Sequence, residues 1–167
     1  YVSLASKQQM TVQELKAKRG TIYATEKDGQ GKERKVELAF NRDAWLVYAD
    51  TREIKNPSQT SEALADILKI PKEEIFSRLA KRNDPYEPLK RRVSDEIMTS
   101  IKSKKIEGIH FEPDIERFYP NSNISSHVLG FVNYKDDGMF GQYGIEQSLN
   151  SAMSGRTGQV SEERDAG

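Results

Sequence analysis

Residues 20 to 50 carry the alternating and continuous apolar patterns that predict β-strands. Thr21-Ile22-Tyr23-Ala24 is followed by the turn-rich stretch Asp28-Gly29-Gln30-Gly31, and Val36-Glu37-Leu38-Ala39-Phe40 then alternates in part. Two β-prone runs joined by glycines predict a hairpin. The run Ala44-Trp45-Leu46-Val47-Tyr48-Ala49-Asp50 is dense in aromatic and β-branched residues and bounded by polar ones, which predicts a strand buried on both faces.

The spacing of apolar residues becomes helical after Asn56-Pro57. Thr60 or Ser61 is suited to cap a first short helix, and Pro71 stands where the first residue of a second helix is expected. The residues predicted to face the interior are Leu64, Ile67 and Leu68 in the first helix, and Ile75, Phe76 and Leu79 in the second.

A third helix is predicted to start near Ser94-Asp95-Glu96, because a capping serine precedes two acidic residues. It would bury Ile97, Met98 and Ile101, carry lysines in its last turn and stop before Gly108. Residues 57–106 are therefore predicted to form a helical lobe.

Strand character returns at residues 109–111 and again at residues 127–132. A last helix is predicted over residues 142–153, with Ile145, Leu149 and Met153 on its inner face. The predicted fold is therefore α+β, with a discontinuous β-rich core of residues 1–56 and 107–167 and an inserted helical lobe.

The composition is that of a folded module without a strong overall charge. The chain has 167 residues, of which 35% are hydrophobic, and 26 basic residues balance 26 acidic ones. A neutral chain has no global field that would gather nucleic acid or an anionic membrane. The absence of cysteine excludes disulfides, thiolate nucleophiles and thiolate zinc sites.

The two ends of the sequence suggest a segment of a longer polypeptide. Residues 1–19 lack the basic-then-apolar layout of a signal peptide, and no apolar stretch approaches the roughly 20 residues that span a bilayer. The sequence begins at Tyr1 and ends in the polar run Ser161-Glu162-Glu163-Arg164-Asp165-Ala166-Gly167. We expect such ends where a chain has been cut from a larger protein.

Few residues are candidates for catalysis or metal binding. Ser126-His127 is the pair on which an acyl-transfer hypothesis would rest, but a hydrogen-bonded structural imidazole is the better explanation of His127. His110, Glu112 and Asp114 alternate as metal ligands on one strand face would, but Pro113 disturbs the strand and no fourth ligand is indicated. The sequence indicates no cofactor.

Other polar clusters are also better explained as surface features. Asp136-Asp137-Gly138 lacks the remaining ligands of a calcium loop and predicts a turn. The glycines 138, 141 and 144 do not match a phosphate-binding spacing. Lys90, Arg91 and Arg92 lie in a basic cluster interleaved with acidic residues, a pattern that favours a solvated face. If the chain binds a partner protein, these three residues are our candidate contact surface.

Three short motifs remain without an assigned reaction. They are Arg19-Gly20, Arg117-Phe118-Tyr119-Pro120 and Gly141-Gln142-Tyr143-Gly144-Ile145-Glu146, each at the boundary of a predicted β element. Their two arginines and glutamate predict a charge-assisted network that ties distant segments together. The alternative is a surface ion pair worth under about 1 kcal/mol.

In this order the motifs resemble the N-terminal pedestal, or dimerisation, domain of class B penicillin-binding proteins, the monofunctional transpeptidases of peptidoglycan synthesis. The resemblance extends from about Arg19 to Gly167. It rests on Arg19-Gly20-Thr21-Ile22, Lys105-Ile106-Glu107-Gly108-Ile109, Arg117-Phe118-Tyr119-Pro120, Ser126-His127-Val128-Leu129-Gly130, Gly141 to Glu146, Leu149-Asn150, Gly155-Arg156-Thr157-Gly158 and Asp165-Ala166-Gly167. The chain departs from the family after Ile22, where a longer charged turn replaces Asp-Arg-Asn-Gly and indicates a divergent branch.

The resemblance implies a chain without catalytic activity. The family's transpeptidase domain carries Ser-x-x-Lys, and this sequence has no such motif. Ser148-Leu149-Asn150 and Arg156-Thr157-Gly158 imitate the two other motifs of that domain, but they lie too close together. In the family the transpeptidase domain follows the pedestal.

The resemblance further implies an extracytoplasmic location, with a membrane anchor in a helix upstream of this segment. The implied partners are the downstream transpeptidase domain, cell-division or elongation proteins and a second copy, but not nucleic acid. The residues implied as structural are Arg19, Gly20, Arg117, Tyr119, Pro120, His127, Gly130, Gly141, Gly144, Glu146, Gly155 and Gly158. The alternative is a free-standing extracytoplasmic module that binds glycan or protein partners.

Overall fold

The computed structural model describes residues 10–15, 17–120, 127–135, 138–156 and 158–163. Helices and strands are mixed along the described residues, which confirms the mixed α+β class. The chain divides into two compact units. The described parts of Tyr1–Asn41 and Arg117–Gly167 form the discontinuous unit, and Arg42–Glu116 forms the inserted unit.

The elements follow the chain in the order β1 (Met10–Leu15), β2 (Ile22–Lys27), β3 (Glu33–Ala49), α1 (Pro57–Leu68), α2 (Lys72–Leu79), β4 (Glu87–Val93), α3 (Asp95–Ser103), β5 (Ile109–Phe118), β6 (Phe131–Lys135), β7 (Gly138–Gln142), α4 (Gly144–Ser148), α5 (Asn150–Met153) and β8 (Gly158–Glu163).

The discontinuous unit contains three antiparallel pairings. β1 pairs with β8, β6 pairs with β7, and β2 pairs with the first half of β3, so that Ile22 lies opposite Ala39. Among the described residues its buried apolar cluster has four members, Ile22, Ala39, Leu129 and Met153. A cluster this small leaves much of the unit's cohesion to other contacts.

The inserted unit has a larger apolar core. The second half of β3 pairs with β4, which places Ala49 opposite Glu87, and β5 also pairs with β3. The buried apolar cluster comprises Val47, Ala49, Ile54, Leu64, Leu68, Ile75, Leu79, Leu89, Val93, Ile101 and Ile109. Helices α1, α2 and α3 contribute Leu64, Leu68, Ile75, Leu79 and Ile101 to it.

The predicted hairpin is confirmed, with its turn at residues 28–32. The two predicted strands after the turn are one continuous strand, β3, because Asn41 and its neighbours keep an extended backbone. Leu46 and Val47 are consecutive in β3 and are 2% and 0% exposed, as expected of a strand buried on both sides.

The helix boundaries needed correction. Asn56 caps α1, with its Oδ1 accepting from the backbone N–H of Gln59 at 3.2 Å, so the cap prediction at Thr60 or Ser61 was wrong. Pro57 at the first helical position explains the earlier start. Pro71 is the residue before α2 rather than its first residue, and Phe76 is 43% exposed.

The region predicted to form a helical lobe also contains a strand. In β4 the apolar Leu89 and Val93 are 3% and 1% exposed, while Lys90 and Arg91 between them hide the alternation in the sequence. α3 starts where it was predicted, with Ser94 as its cap. The borders of the inserted unit lie at Arg42 and Glu116, outside the predicted 57–106.

Three predictions in the last third of the chain were also wrong. β5 runs through Pro113 to Phe118, and residues 127–129 are helical rather than extended. The last predicted helix is divided into α4 and α5, and Leu149 between them is 51% exposed. Among the described helices, none is long and apolar enough to cross a membrane.

Candidate functional site

Arg19, Arg117 and Glu146 form a buried polar network in the discontinuous unit. Arg19 precedes β2, Arg117 is the penultimate residue of strand β5, and Glu146 lies in the first turn of α4. The three residues are 3%, 5% and 0% exposed. Three chain segments that are far apart in sequence therefore contribute charges to one buried site.

The Glu146 carboxylate accepts hydrogen bonds through both oxygens. Oε2 accepts from Arg19 Nε at 2.6 Å, and Oε1 accepts from Arg117 Nε at 2.8 Å. Tyr119 also donates its hydroxyl to Oε1 at 3.2 Å. Charge-assisted bonds of this length are the stronger class of protein hydrogen bond.

Arg19 uses its remaining N–H groups on α4, β7 and α5. Nη2 donates to the backbone oxygen of Glu146 at 2.8 Å, and Nη1 donates to Asn150 Oδ1 at 2.9 Å and to the backbone oxygen of Met139 at 3.2 Å. A flat guanidinium with five donors can satisfy all of these acceptors, whereas a lysine cannot.

Arg117 joins β5 to the chain around Arg19. Its Nη1 donates to the backbone oxygen of Gly20 at 2.8 Å and to Asn41 Oδ1 at 3.4 Å. The Asn41 amide in turn donates to the backbone oxygen of Arg19. Arg117 Nη2 is buried and has no hydrogen-bond partner among the described residues.

The network holds two cations and one anion, so its formal charge is +1. Burial, followed by the negative charge of Glu146, raises the pKa of Tyr119 from 10.0 to about 12. Tyr119 therefore keeps its proton at neutral pH and remains a donor to the carboxylate.

Glycines allow the backbones around Glu146 to approach closely. A Cβ on Gly141 would lie 1.8 Å from the backbone oxygen of Glu146, and one on Gly144 would lie 2.2 Å from that of Val128. A Cβ on Gly130 would lie 2.1 Å from the backbone oxygen of Tyr143. The predicted glycine motif is thus explained by backbone packing around the network.

Other predicted residues lie at the edge of the network or outside it. Gly20 donates its N–H to the backbone oxygen of Met153 at 2.9 Å, and Gly155 has a φ of +66°. Pro120, His127 and Gly158 are exposed. Ser126, Asp136-Asp137, Thr157 and Asp165 to Gly167 lie outside the described residues, so the structure does not test the Ser126-His127 pair.

The residues considered for metal binding are not brought together. His110 Nε2 lies 3.1 Å from Glu53 Oε2, and Tyr86 donates to Glu112 at 2.7 Å. No group of three potential metal ligands occurs in the part of the chain that the structure describes.

The predicted partner surface lies on β4 rather than on a helix. Lys90 donates through Nζ to the backbone oxygen of Leu68, Arg91 is exposed, and Arg92 has a φ of +54°. Its role in partner binding stays a prediction.

Sequence reasoning missed two asparagines that complete the network. Asn41 bonds to Arg19 and Arg117, and Asn150 Oδ1 accepts from Arg19 and from the backbone N–H of Gly141 at 2.8 Å. Asn41 had a usable signal, because asparagine is uncommon inside strands. The network gives Glu146 three donors and no open face, which suits a structural role better than a reaction.

Comparisons with known proteins show the family to which this chain belongs. A family model described as the Penicillin-binding Protein dimerisation domain matches residues 14–167. Stage V sporulation protein D of Bacillus subtilis is 31% identical over 133 residues, which is 78% of this chain and 20% of that protein. Peptidoglycan D,D-transpeptidase FtsI of Escherichia coli is 28% identical over 156 residues, which is 90% of this chain and 25% of that protein.

Two solved structures share the fold. Penicillin Binding Protein 2X from Streptococcus thermophilus is 25% identical with a TM-score of 0.52, covering 93% of this chain and 25% of that one. The penicillin-binding protein in a complex with MreC from Helicobacter pylori is 21% identical with a TM-score of 0.67, and the match covers 95% of this chain and 32% of that one. The chain spans about a quarter or less of the length of the curated relatives described here. It belongs to the family of penicillin-binding protein dimerisation domains.

Proposed function

We propose that this chain is the non-catalytic pedestal of a class B penicillin-binding protein, which positions a transpeptidase domain and contacts other proteins of peptidoglycan synthesis. The observation that carries the proposal is the buried network of Arg19, Arg117 and Glu146, within a chain that matches the dimerisation-domain family over residues 14–167. A network that bonds three distant segments suits a domain whose task is to hold a shape.

Family membership favours this role over that of a free-standing binding module. The curated relatives are named as peptidoglycan transpeptidases or a sporulation protein, and this chain corresponds to a fraction of each. The proposed location is the extracytoplasmic side of the membrane, with an anchor upstream of this segment in the parent protein.

The proposed protein partners are division or elongation proteins. The Helicobacter pylori structure with this fold was solved as a complex with MreC, which supports a contact with a cell-shape protein. Self-association of the chain is a further part of the proposal, and analytical ultracentrifugation of the 167-residue chain measures it.

The experiment that tests the pedestal role starts with the coding region on both sides of this segment. We expect an upstream apolar helix and a downstream domain with Ser-x-x-Lys. A fluorescent β-lactam should label the parent protein and leave the isolated 167-residue chain unlabelled. Labelling of the isolated chain would revive the Ser126-His127 hypothesis.

A second step separates positioning from catalysis. We expect a parent protein from which residues 17–163 are deleted, with its membrane anchor kept, to be acylated by the β-lactam but to fail to support growth. Growth on the deleted protein would show that the pedestal is dispensable and would refute the proposed role.

A further inference from the structure

A cavity of about 360 Å³ opens within the inserted unit, away from the buried polar network. Strand β3 contributes Trp45 and Tyr48 to its wall, and β5 contributes His110 and Phe111. The end of α3 and the turn after it contribute Lys102 and Lys105. The volume lies within the range of ligand pockets in proteins, roughly 300–1,000 Å³.

The aromatic rings of the wall are fixed by bonds made at their outer edges. Trp45 Nε1 donates to Asp95 Oδ1 at 2.6 Å, and His110 Nε2 lies 3.1 Å from Glu53 Oε2. Tyr48 and His110 stack with ring centroids 5.4 Å apart. Asp95 and Glu53 are not among the lining residues, so the carboxylates hold the rings without entering the cavity.

The two lysines give the cavity a positive rim. Lys102 Nζ lies 5.7 Å from the ring centroid of Trp45 and 5.4 Å from that of Phe111, so cation–π attraction keeps the ammonium above the aromatic wall. Lys105 has a φ of +49°, which is the left-handed conformation that glycine usually adopts after a helix. No acidic residue lines the cavity among the described residues, and the carboxylates of Asp95 and Glu53 lie behind the rings that they bond.

We propose that this cavity binds an acidic peptide segment of a partner protein, which packs one aromatic or branched aliphatic side chain against the rings and places its carboxylates on Lys102 and Lys105. Three isoleucines, Ile101, Ile106 and Ile109, also line the cavity. A sugar fits less well, because buried hydroxyls need partners and the described lining offers no amide or carboxylate side chain. The inference concerns a surface distinct from the network and does not depend on the pedestal role.

Trp45 is the chain's single tryptophan, so its fluorescence reports directly on the cavity. The probes are the capped peptide Asp-Glu-Phe-Glu-Asp, a version with Ala in place of Phe, and a version with lysines in place of all four acids. Titrated into the full 167-residue chain, the first peptide should shift Trp45 emission with a dissociation constant of about 1 mM or tighter. The other two peptides should bind at least about tenfold more weakly, and added salt should weaken the first.

Matched charge reversals locate the site. The double variant Lys102→Glu and Lys105→Glu should bind the acidic probe at least about tenfold more weakly than the wild type. Lys104→Glu is the control, because Lys104 is exposed beside them in sequence but does not line the cavity. Two-dimensional amide NMR spectra should show that all variants are folded.

Three outcomes would overturn the proposal. They are no response of Trp45 to the acidic probe at millimolar concentration, an equal loss of binding in Lys104→Glu, and saturation by the neutral sugar chitobiose in place of the peptide. Each outcome can occur whether or not the parent protein needs its pedestal for growth.

Discussion

Replacing Glu146 with glutamine removes the carboxylate that two buried guanidinium groups share, while nearly preserving the shape of the side chain. Glutamine keeps one oxygen as an acceptor, but its amide nitrogen is a donor and would face a second donor, either Arg19 Nε or Arg117 Nε. The formal charge of the network rises from +1 to +2 in a site where none of the three charged residues is more than 5% exposed.

Breaking a buried ion pair by removing one partner costs about 3–5 kcal/mol. The stability of a whole domain is typically about 5–15 kcal/mol. We therefore expect E146Q to lose a large part of the stability of the discontinuous unit.

Urea denaturation followed by circular dichroism measures this loss, and an unchanged slope against urea would show that the transition remains comparable. The control is Glu107→Gln, which breaks the exposed pair between Lys55 Nζ and Glu107 at 2.6 Å and should leave the midpoint unchanged. If E146Q unfolded at the same urea concentration as the Glu107 variant, the network would not hold the unit together.

Three further predictions concern the surroundings of Glu146. Arg19→Lys keeps the charge but leaves buried acceptors without donors, so we expect it to lose at least about 2 kcal/mol in the same urea assay, and wild-type stability would contradict this. Gly141→Ala should prevent stable folding, because the new Cβ would lie 1.8 Å from the backbone oxygen of Glu146. Gly20→Ala is the control and should fold normally, because the atom nearest to its new Cβ is 3.5 Å away. Thermal melts compare the two variants. Folding raises the pKa of Tyr119 from 10.0 to about 12. The protonated hydroxyl therefore contributes its full stabilisation of the folded state below pH 10.0, and this contribution is lost as the pH rises towards 12. Alkaline titration followed by tyrosinate absorbance should show one tyrosine with a pKa of about 12, and this titration step should be absent in Tyr119→Phe.

The parts of the fold that follow from local sequence were predictable. A capping serine followed by two acidic residues marks the start of α3 at Asp95, and the glycines after Asp28 mark the turn of the first hairpin. Such signals act over a few residues and depend little on the rest of the chain.

The missed elements depend on contacts from elsewhere in the chain. β4 is extended because Leu89 and Val93 enter the core of the inserted unit, although Lys90 and Arg91 between them conceal the pattern. The break at Leu149 between α4 and α5 is not marked by a proline or glycine at that position. Tertiary packing overrides local propensity at both places.

The charged residues of the candidate site were predictable from the sequence, but its two asparagines were not. Two arginines and a glutamate at element boundaries suggested the network, because buried charges need partners. Asn41 and Asn150 could not be assigned from spacing, since their partners are Arg19, Arg117 and the backbone of Gly141.

The long separation between the network's members has a consequence for the order in which the chain folds. Arg19 and Glu146 are 127 positions apart, and the whole inserted unit, Arg42–Glu116, lies between them in sequence. Contacts across such a distance form late, because a long loop must first be closed. The inserted unit is continuous in sequence, so we expect it to fold first during synthesis or refolding. Until Glu146 reaches them, both arginines can stay hydrated, and we expect the network to be buried late in folding.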